Sequence, residues 1–177
     1  LDAIAAARFM LKNKRISMII IGDGRGKSEC EKYVQFLELE AQVLFEPNAL
    51  RVLSYFMSSD LLIVTNTDAE SEEIVMQAAA VGLPMVMRRT DRRDDVFTHL
   101  ESAYVCEPED TQAYSDGVFE LMNNYEQRQQ IAEQAREITR TAFHQNAVTY
   151  RNEYRASIEE ALFEEATTED ESQTTAE

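Results

Sequence analysis

The chain has 177 residues, of which 44% are hydrophobic and 28% charged, a composition that fits one folded domain and excludes both general disorder and a two-domain enzyme with full-sized halves. Its 33 acidic residues exceed its 17 basic residues, so the formal net charge at pH 7 is −16. Because this charge repels phosphate backbones and anionic lipid, we predict neither nucleic acid nor direct membrane binding.

Short apolar runs alternate with amphipathic segments along most of the chain. This alternation predicts an α/β fold with a Rossmann-like, doubly wound parallel sheet of about five strands, helices on both faces and a helical C-terminal extension. Gly82, directly before Leu83 and Pro84, predicts a left-handed cap at the end of the fourth helix. The predicted strands cover residues 17–21, 42–45, 61–65, 84–87 and 103–106. The predicted helices cover residues 2–12, 27–39, 49–58, 72–81, 94–100, 111–123, 125–141 and 147–162.

The C-terminal segment differs in composition from the rest of the chain. Residues 164–177 contain six acidic residues and no basic residue. Such a segment cannot bury enough apolar surface to offset the entropy cost of ordering it. We therefore predict a folded domain over residues 1–163 and an acidic disordered tail over residues 164–177. The simpler interpretation is that the tail has no binding partner, and the alternative is that it is an acidic docking segment.

The cysteines and histidines are isolated from one another. Cys30 and Cys106 lie far apart without a neighbouring histidine, and His99 and His144 have no acidic residue at the spacing of a catalytic triad. The sequence therefore predicts no metal site, no cofactor and no nucleophilic relay. Unpaired cysteines also favour a reducing, cytoplasmic location.

A glycine-rich segment, Gly22-Asp23-Gly24-Arg25-Gly26, follows the first predicted strand and opens a helix. Flexible backbone at a helix N-terminus is suited to binding an anion. The spacing is one residue too short for a P-loop, and the third glycine comes one residue too early for a dinucleotide-binding motif. A tight strand-to-helix turn without a ligand is the alternative, and a small P-loop protein is a third, less favoured one.

Several motifs occur in a characteristic order along residues 2–162. They are the Gly-Asp-Gly turn at 22–24, the strand and loop at 43–48, the segment SSDLLIV at 58–64, the segment QAAAVGLPMV at 77–86, Thr90-Asp91, and the turn at 106–110. This order resembles the C-terminal, donor-binding domain of retaining GT-B glycosyltransferases, the group that includes glycogen and sucrose synthases. The segment at 77–86, which is similar to the family's E-A-M-A-x-G-x-P-V-V, is the most specific of them.

The resemblance implies a nucleotide sugar as the substrate and assigns roles to particular residues. Glu70 would lie beside the transferred sugar as the catalytic residue, although an alignment without a gap would place Ala69 there. Gln77 stands where the family has the glutamate that holds the ribose hydroxyls. The implied substrate-binding residues are Gly22, Gly24, Pro47, Asn48 and Gln77.

An arginine cluster follows the predicted strand at 84–87. Its members are Arg88, Arg89, Arg92 and Arg93. In open α/β sheets ligands bind beyond the carboxyl ends of the strands, so we predict that Arg92 and Arg93 contact the diphosphate. The alternative is a solvated loop of ion pairs with the interleaved aspartates.

Two hypotheses of function follow from these observations. The first is the donor-binding half of a retaining glycosyltransferase that transfers a hexose to a glycan or another acceptor, with an N-terminal acceptor-binding domain or partner chain supplying the rest of the enzyme. The second is a degenerate, non-catalytic copy of that domain that serves as a binding or structural partner. Ala69 and the replacement of family glycines by Glu70 and Glu72 favour the second hypothesis. The retained Gly22, Gly24 and Gln77 favour the first.

Overall fold

Parallel strands alternate with helices in a computed structural model of the chain, which describes residues 1–47, 52–108, 110–143 and 155. The chain divides into two units, Leu1–Arg140 and Thr141–Glu177. The predicted helix at 147–162, except Arg155, and the predicted acidic tail lie outside the described residues, as does the predicted domain boundary after residue 163. The fold below is therefore that of the first unit.

All five predicted strands are confirmed. They are β1 (Met18–Ile21), β2 (Val43–Glu46), β3 (Leu62–Val64), β4 (Met85–Arg88) and β5 (Tyr104–Cys106). β1 pairs with β2, β4 pairs with both β3 and β5, and every pairing is parallel. The parallel α/β fold is thus confirmed, but the strands form a two-stranded and a three-stranded sheet instead of one continuous sheet.

Within the described residues, the helices overlap the predicted ones with two differences: the helix predicted over 2–12 is an α-helix that ends at Ala7 and is followed by a 3₁₀ turn, and the helix predicted over 94–100 begins and ends earlier. They are α1 (Asp2–Ala7), a 3₁₀ turn (Met10–Lys12), α2 (Lys27–Phe36), α3 (Val52–Met57), α4 (Ala69–Val81), α5 (Asp91–Asp94), α6 (Thr111–Asn123) and α7 (Tyr125–Phe143). The prediction of a helix over 94–100 is wrong. Thr90 Oγ1 accepts a hydrogen bond of 3.2 Å from Arg93 N, which starts the helix earlier, and Leu100 has a left-handed φ of 62°, which no helix can contain.

Two glycines explain local features of the helices. Gly82 ends α4 with φ 71° and ψ 39°, which confirms the predicted left-handed cap. Gly117 lies inside α6, where a Cβ atom would come within 2.5 Å of Tyr104 Cδ1. The ring of Tyr104 therefore requires a residue without a side chain at this position of the helix.

The core is built on both faces of β4. Met85 and Met87 pack against α4, which contributes Val75, whereas Val86 faces α6, which contributes Leu121. All five of these side chains are fully buried. None of the helices in the described part of the chain combines the length and the apolar character needed to cross a membrane.

Candidate functional site

The carboxyl ends of the two sheets lie on the same side of the molecule. The amino group of Leu1 lies 3.9 Å from Sγ of Cys30, in the helix that follows β1, and Asp2 Oδ2 lies 3.2 Å from Nη2 of Arg88, the last residue of β4. We call this side, with the loops that follow β1 to β5, the carboxyl edge. In open parallel sheets it is the side on which ligands bind.

The loop after β1 presents open backbone at the carboxyl edge. Gly22 has φ +138°, a conformation that side chains disfavour, and its N–H donates to Glu46 O at 2.9 Å. A Cβ atom at Gly22, Gly24 or Gly26 would meet no heavy atom within 4 Å. α2 then starts after Gly26 without a side-chain cap, and the first amide of the helix, Lys27 N, donates to Gly24 O at 3.1 Å.

The two residues that follow β2 in the sequence, Pro47 and Asn48, are predicted to lie at the nucleotide. Pro47 is exposed directly after β2, and Asn48 lies outside the described residues. The Tyr55 hydroxyl donates to Oε2 of Glu46, the last residue of β2, at 3.3 Å. Burial, and then the neighbouring Glu46 carboxylate, raise the pKa of Tyr55, so this pair keeps its proton on the tyrosine.

The first turn of α4 carries Glu70. Asp68 caps this helix, because its Oδ1 accepts a hydrogen bond of 2.8 Å from Ser71 N. Ser71 Oγ in turn donates to Asp68 O at 2.7 Å. This double contact fixes the start of α4. Glu70 lies in its first turn, is exposed, and follows β3 at the carboxyl edge, the edge at which the resemblance implies a catalytic residue.

Gln77 lies two turns further along α4 and is half-buried. Its Nε2 donates to Glu73 Oε1 at 2.8 Å, so one end of the amide is already oriented. Glu70, Glu73 and Gln77 lie on one face of the helix, because residues three and four apart are neighbours there. The sequence analysis missed Glu73, although its spacing of four residues from Gln77 was the available signal.

Arg93 is placed differently from the prediction that it faces the ligand. It is 1% exposed, and its Nη1 donates to Arg88 O at 2.8 Å, while its Nη2 donates to Asn66 O at 2.8 Å and to Ser71 Oγ at 3.0 Å. Its Nε forms an ion pair of 3.1 Å with Glu72. The predicted diphosphate-facing orientation of Arg93 is therefore wrong, because its guanidinium joins the loops after β3 and β4 to the start of α4.

The rest of the arginine cluster is divided between ion pairs and solvent. Arg89 pairs with Asp94 at 2.7 Å and with Glu107 at 2.8 Å, and the hydrogen bond that Arg89 donates to Asp94 raises the pKa of Arg89. This part of the loop fits the solvated ion-pair interpretation. Arg92 is exposed and has no hydrogen bond or ion pair with any residue that the structure describes. It is thus the member of the cluster whose charge is left for a ligand.

Buried titratable groups beside the carboxyl edge offer little reactivity. Burial raises the pKa of the Cys106 thiol to about 12, which leaves it protonated and unreactive at neutral pH. Cys30 and Cys106 are both free cysteines. Within the described ranges, no three His, Cys, Asp or Glu side chains are grouped closely enough to hold a metal ion.

Curated relatives are glycosyltransferases. Residues 2–138 match the sequence model of the family described as glycosyl transferases group 1. N-acetyl-alpha-D-glucosaminyl L-malate synthase of Bacillus anthracis is 25% identical over 136 residues, which are 77% of this chain and 36% of that protein. 2-deoxystreptamine N-acetyl-D-glucosaminyltransferase of Niallia circulans is 23% identical over 111 residues, which are 62% of this chain and 28% of that protein. The chain thus spans about a third of the length of these relatives.

Solved structures show the same fold. The C-terminal domain of the glycosyl transferase group 1 family protein LpcC from Francisella tularensis aligns with a TM-score of 0.68 at 19% identity, over 81% of this chain and 78% of that one. HepE from Anabaena in complex with UDP aligns with a TM-score of 0.74 at 18% identity, over 90% of this chain and 44% of that one. With the match over residues 2–138, these alignments identify the chain as a member of the glycosyl transferases group 1 family with the fold of a GT-B C-terminal domain.

Proposed function

We propose that this chain is the donor-binding half of a retaining glycosyltransferase that takes a nucleotide sugar as its substrate and transfers a hexose. The observation that carries the proposal is the open backbone at Gly22 and Gly24, directly before the uncapped start of α2 at the carboxyl edge. A phosphate can approach such backbone closely and accept hydrogen bonds from the first turn of the helix. The complex of the structural neighbour HepE with UDP supports a nucleoside diphosphate as the ligand.

Residues on the other loops of the carboxyl edge complete the proposed site. Pro47 and Asn48 bound the space for the nucleoside, Gln77 donates or accepts hydrogen bonds at the ribose hydroxyls, and Glu70 lies beside the sugar. Arg92 supplies positive charge for the departing diphosphate, which an otherwise acidic chain needs. Arg93 does not touch the donor in this proposal. It is a positioning residue that holds the start of α4.

Transfer requires a second body that binds the acceptor. Holding donor and acceptor in register supplies roughly 7–11 kcal/mol of barrier reduction, and a donor site alone cannot provide it. We therefore propose an N-terminal acceptor-binding domain or partner chain as the partner, and we expect the isolated chain to transfer no sugar. A cytoplasmic location is part of the proposal and is supported by the two free cysteines.

The test is calorimetric titration of the chain with UDP, GDP and ADP, followed by their glucose conjugates. Gly24→Val is the diagnostic variant, because the free chain has room for the side chain whereas a bound phosphate does not. Gly26→Ala is the matched control in the same loop. We expect at least one nucleoside diphosphate to bind, Gly24→Val to weaken that binding at least about tenfold, and high salt to weaken it as well.

Three results would count against the proposal. They are the absence of binding by every nucleotide, equal binding by wild type and Gly24→Val with unchanged circular dichroism, and sugar transfer by the isolated chain. Arg92→Ala separates the contribution of the Arg92 charge to nucleotide binding from the contribution of the glycine loop. This substitution should not disturb the fold, because the Arg92 side chain has no hydrogen bond or ion pair among the described residues.

A degenerate binding module is the second candidate, and the charge at the start of α4 favours it. Glu70 and Glu72 occupy the first turn, where the exposed carboxylate of Glu70 opposes the approach of a diphosphate, whereas the charge of Glu72 is paired with Arg93. Gln77 is neutral and partly engaged by Glu73. Under this alternative, no nucleotide binds to the wild type, and Ala69→Glu with Gln77→Glu does not restore transfer when an N-terminal partner is present.

A further inference from the structure

We propose that the groove between α6 and α7 binds a basic segment of a partner protein, in which arginine residues lie beside large apolar ones. The groove has a volume of about 620 Å³, within the usual range for ligand sites in proteins. It is bounded by the last two turns of α6 and the first turn of α7, and the side chains that carry the argument are Asp116, Phe119, Glu120, Tyr125 and Glu126. We call these five residues the α6–α7 groove. The proposal needs no nucleotide and does not rest on the proposed donor site.

The α6–α7 groove lies toward the end of α6 that is remote from the carboxyl edge. α6 follows β5, so it begins at that edge, where Asp110 Oδ1 accepts a hydrogen bond of 2.9 Å from Ala113 N. Its 13 residues, at a rise of about 1.5 Å each, extend about 20 Å from there. A segment bound in the groove and a nucleotide bound at the carboxyl edge would therefore not compete for the same space.

Two aromatic side chains of the groove are exposed to solvent. Phe119 is 61% exposed and Tyr125 is 65% exposed. The core-facing side of α6 is formed by other residues, among them Val118 and Leu121, so Phe119 projects from the outer face of the helix. Both rings border the same groove, and apolar side chains of a partner would remove them from water.

Three carboxylates border these rings without a compensating cation. Asp116, Glu120 and Glu126 form no ion pair with any residue in the part of the chain that the structure describes. Further along α7, by contrast, Glu133 and Glu137 each pair with an arginine three residues later, at 2.8 and 2.7 Å. The α6–α7 groove therefore presents negative charge that its own neighbours leave unbalanced, and it attracts positively charged partners.

The negative charge of the groove acts on Tyr104 in β5. Gly117 of α6 lies against the ring of this tyrosine. Burial, and then the Glu120 carboxylate, raise the pKa of Tyr104, and Asp116 contributes in the same direction. Surroundings that disfavour an additional negative charge favour a positive one. The groove is thus suited to cationic side chains.

Arg128 shows how a guanidinium fits an aromatic ring of the groove. Its Cζ lies 5.6 Å from the centroid of the Tyr125 ring. Its Nη1 donates to Leu121 O and Met122 O at 3.0 and 3.3 Å, so Arg128 is engaged at the end of α6 and does not balance the carboxylates. An arginine of a partner would stack on the exposed ring of Phe119 in the same manner and pair with the neighbouring carboxylates.

These observations favour one kind of occupant. Nucleic acid and anionic lipid are repelled by the three carboxylates. In a symmetric dimer through this groove, the same carboxylates of two chains, each with a formal net charge of −16, would face each other. A polyamine supplies positive charge but no large apolar side chain for the two rings. A protein segment that combines arginine with leucine or phenylalanine supplies both.

The first measurement is a titration of the full chain with three synthetic peptides of about ten residues, followed by NMR of the backbone amides. The peptides alternate arginine with leucine, arginine with serine, and glutamate with leucine. We expect the arginine–leucine peptide to bind at least about tenfold more tightly than the arginine–serine peptide, and the glutamate–leucine peptide not to bind. The shifted amides should cluster at residues 116–126.

Four results of this titration would overturn the proposal. They are no binding of the arginine–leucine peptide, equal affinity for the two arginine peptides, binding of the glutamate–leucine peptide, and amide shifts spread over the whole surface. The titration contains no nucleotide, so a failure of the proposed donor binding leaves its outcome unaffected.

A pair of variants tests the aromatic part of the groove. Phe119→Ala should weaken binding of the arginine–leucine peptide at least about fivefold, because it removes the ring on which arginine stacks. The matched control is Phe36→Ala, since Phe36 is 80% exposed on α2 and lies outside the groove. Circular dichroism verifies that both variants are folded. Equal affinities of the two variants for the peptide would contradict the proposal.

A second pair of variants separates the charge of the groove from the net charge of the chain. Asp116→Asn with Glu120→Gln should weaken binding of the same peptide at least about tenfold. The control is Glu31→Gln with Glu40→Gln, which removes two exposed carboxylates elsewhere and changes the net charge equally. An equal loss of affinity in both double variants would mean that the peptide responds to net charge alone, and the proposal would fail.

Two further measurements address the competing occupants. Spermine that displaces the arginine–leucine peptide at the same concentration of positive charge would identify a polyamine site. A dimer in sedimentation equilibrium that dissociates in Phe119→Ala would identify an interface between copies of this chain. Either result would overturn the proposal. Retention of the peptide against spermine, with an oligomeric state that Phe119→Ala leaves unchanged, would support it.

Discussion

The two sheets contain the same kind of short apolar strand, yet they are buried very differently. β4 is fully buried at Met85, Val86 and Met87, because α4 covers one face and α6 the other. β1 leaves 42% of Ile19 and 38% of Ile21 exposed. An apolar run therefore identifies a strand, but it does not reveal whether neighbours in the same chain cover it.

The loops that follow the two sheets differ in the same sense. Arg93 ties the loops after β3 and β4 together from inside the molecule, with hydrogen bonds of 2.8 Å to Asn66 O and Arg88 O. The loop after β1 is held by backbone hydrogen bonds, such as that of 2.9 Å from Gly22 N to Glu46 O, and added Cβ atoms at Gly22 and Gly24 would meet nothing within 4 Å. The carboxyl edge thus combines one side held by buried hydrogen bonds with one open side, which suits a site that must admit a ligand.

The largest effect should come from replacing Arg93. In Arg93→Met we expect the free energy of unfolding to fall by about 3–5 kcal/mol, because Glu72 and two carbonyl groups lose their partner in the interior. The control is Arg92→Met, which we expect to change stability by no more than about 0.5 kcal/mol. Urea unfolding followed by circular dichroism measures both. Similar losses of unfolding free energy in the two variants would mean that the buried contacts of Arg93 contribute no more to stability than the exposed side chain of Arg92.

The next effect compares the strands directly. Met87→Ala should cost about 2–5 kcal/mol, because Met87 is fully buried and its removal leaves a cavity. Ile19→Ala should cost about 1 kcal/mol, because much of that side chain is already in water. The same unfolding measurement applies. A loss at Ile19 as large as that at Met87 would contradict the difference in burial between the two sheets.

A smaller effect distinguishes two glycines. Gly117→Ala places a Cβ atom 2.5 Å from Tyr104 Cδ1, a clash that costs about 1–3 kcal/mol. Alanine is better than glycine in a helix by about 1 kcal/mol, so we expect a net loss of about 1 kcal/mol. Gly24→Ala, in the open loop, should change stability by less than about 0.5 kcal/mol. Thermal melting of the two variants measures these losses. Repeating Gly117→Ala in a Tyr104→Ala background, which removes the clash, tests whether the ring causes the loss of stability.

The smallest effect concerns the cysteines and leaves stability at neutral pH unchanged. Burial raises the pKa of Cys106 to about 12, whereas Cys30 is half-buried in α2. At pH 8 iodoacetamide should modify Cys30 and spare Cys106 in the native chain, and modify both after denaturation. Mass spectrometry counts the adducts. The pKa of the Cys106 thiol is about 12 in the folded chain and about 9 in the unfolded chain. The contribution of this thiol to the free energy of unfolding is therefore lost as the pH rises from about 9 to about 12. Rapid native labelling of Cys106 would show that β5 is less well covered than its burial indicates.

Local signals in the sequence predicted most of the fold. Each of the five strands lies within one residue of its predicted run, because a short apolar segment between turn residues has few other conformations that bury it. Gly82 predicted the end of α4, because only glycine adopts its left-handed conformation without strain. The helix predicted at 94–100 was wrong, because the side-chain cap from Thr90 starts α5 at Asp91 and Leu100 turns the chain.

The candidate site was predictable only where it depends on the order of elements. Gly22, Pro47 and Glu70 follow strand ends in the sequence, and the parallel pairing brings their loops to one edge. Asn48 falls outside the described residues, so its predicted contact stays a prediction. Whether these residues bind a nucleotide sugar also stays a prediction, and the titration with Gly24→Val addresses it.

The sequence by itself determined the alternation of strands and helices, the glycine loop after β1 and the position of Glu70 and Gln77 on α4, since each depends on neighbours along the chain. Tertiary structure alone decided which of the two adjacent arginines, Arg92 and Arg93, is exposed and which is buried. In a short helix successive residues point in directions about 100° apart, so one guanidinium faces solvent and the other meets Glu72, 21 residues away in sequence. Tertiary structure also decided that β1 and β3 do not pair, because the hydrogen-bonding partner of a strand edge is not encoded in that strand.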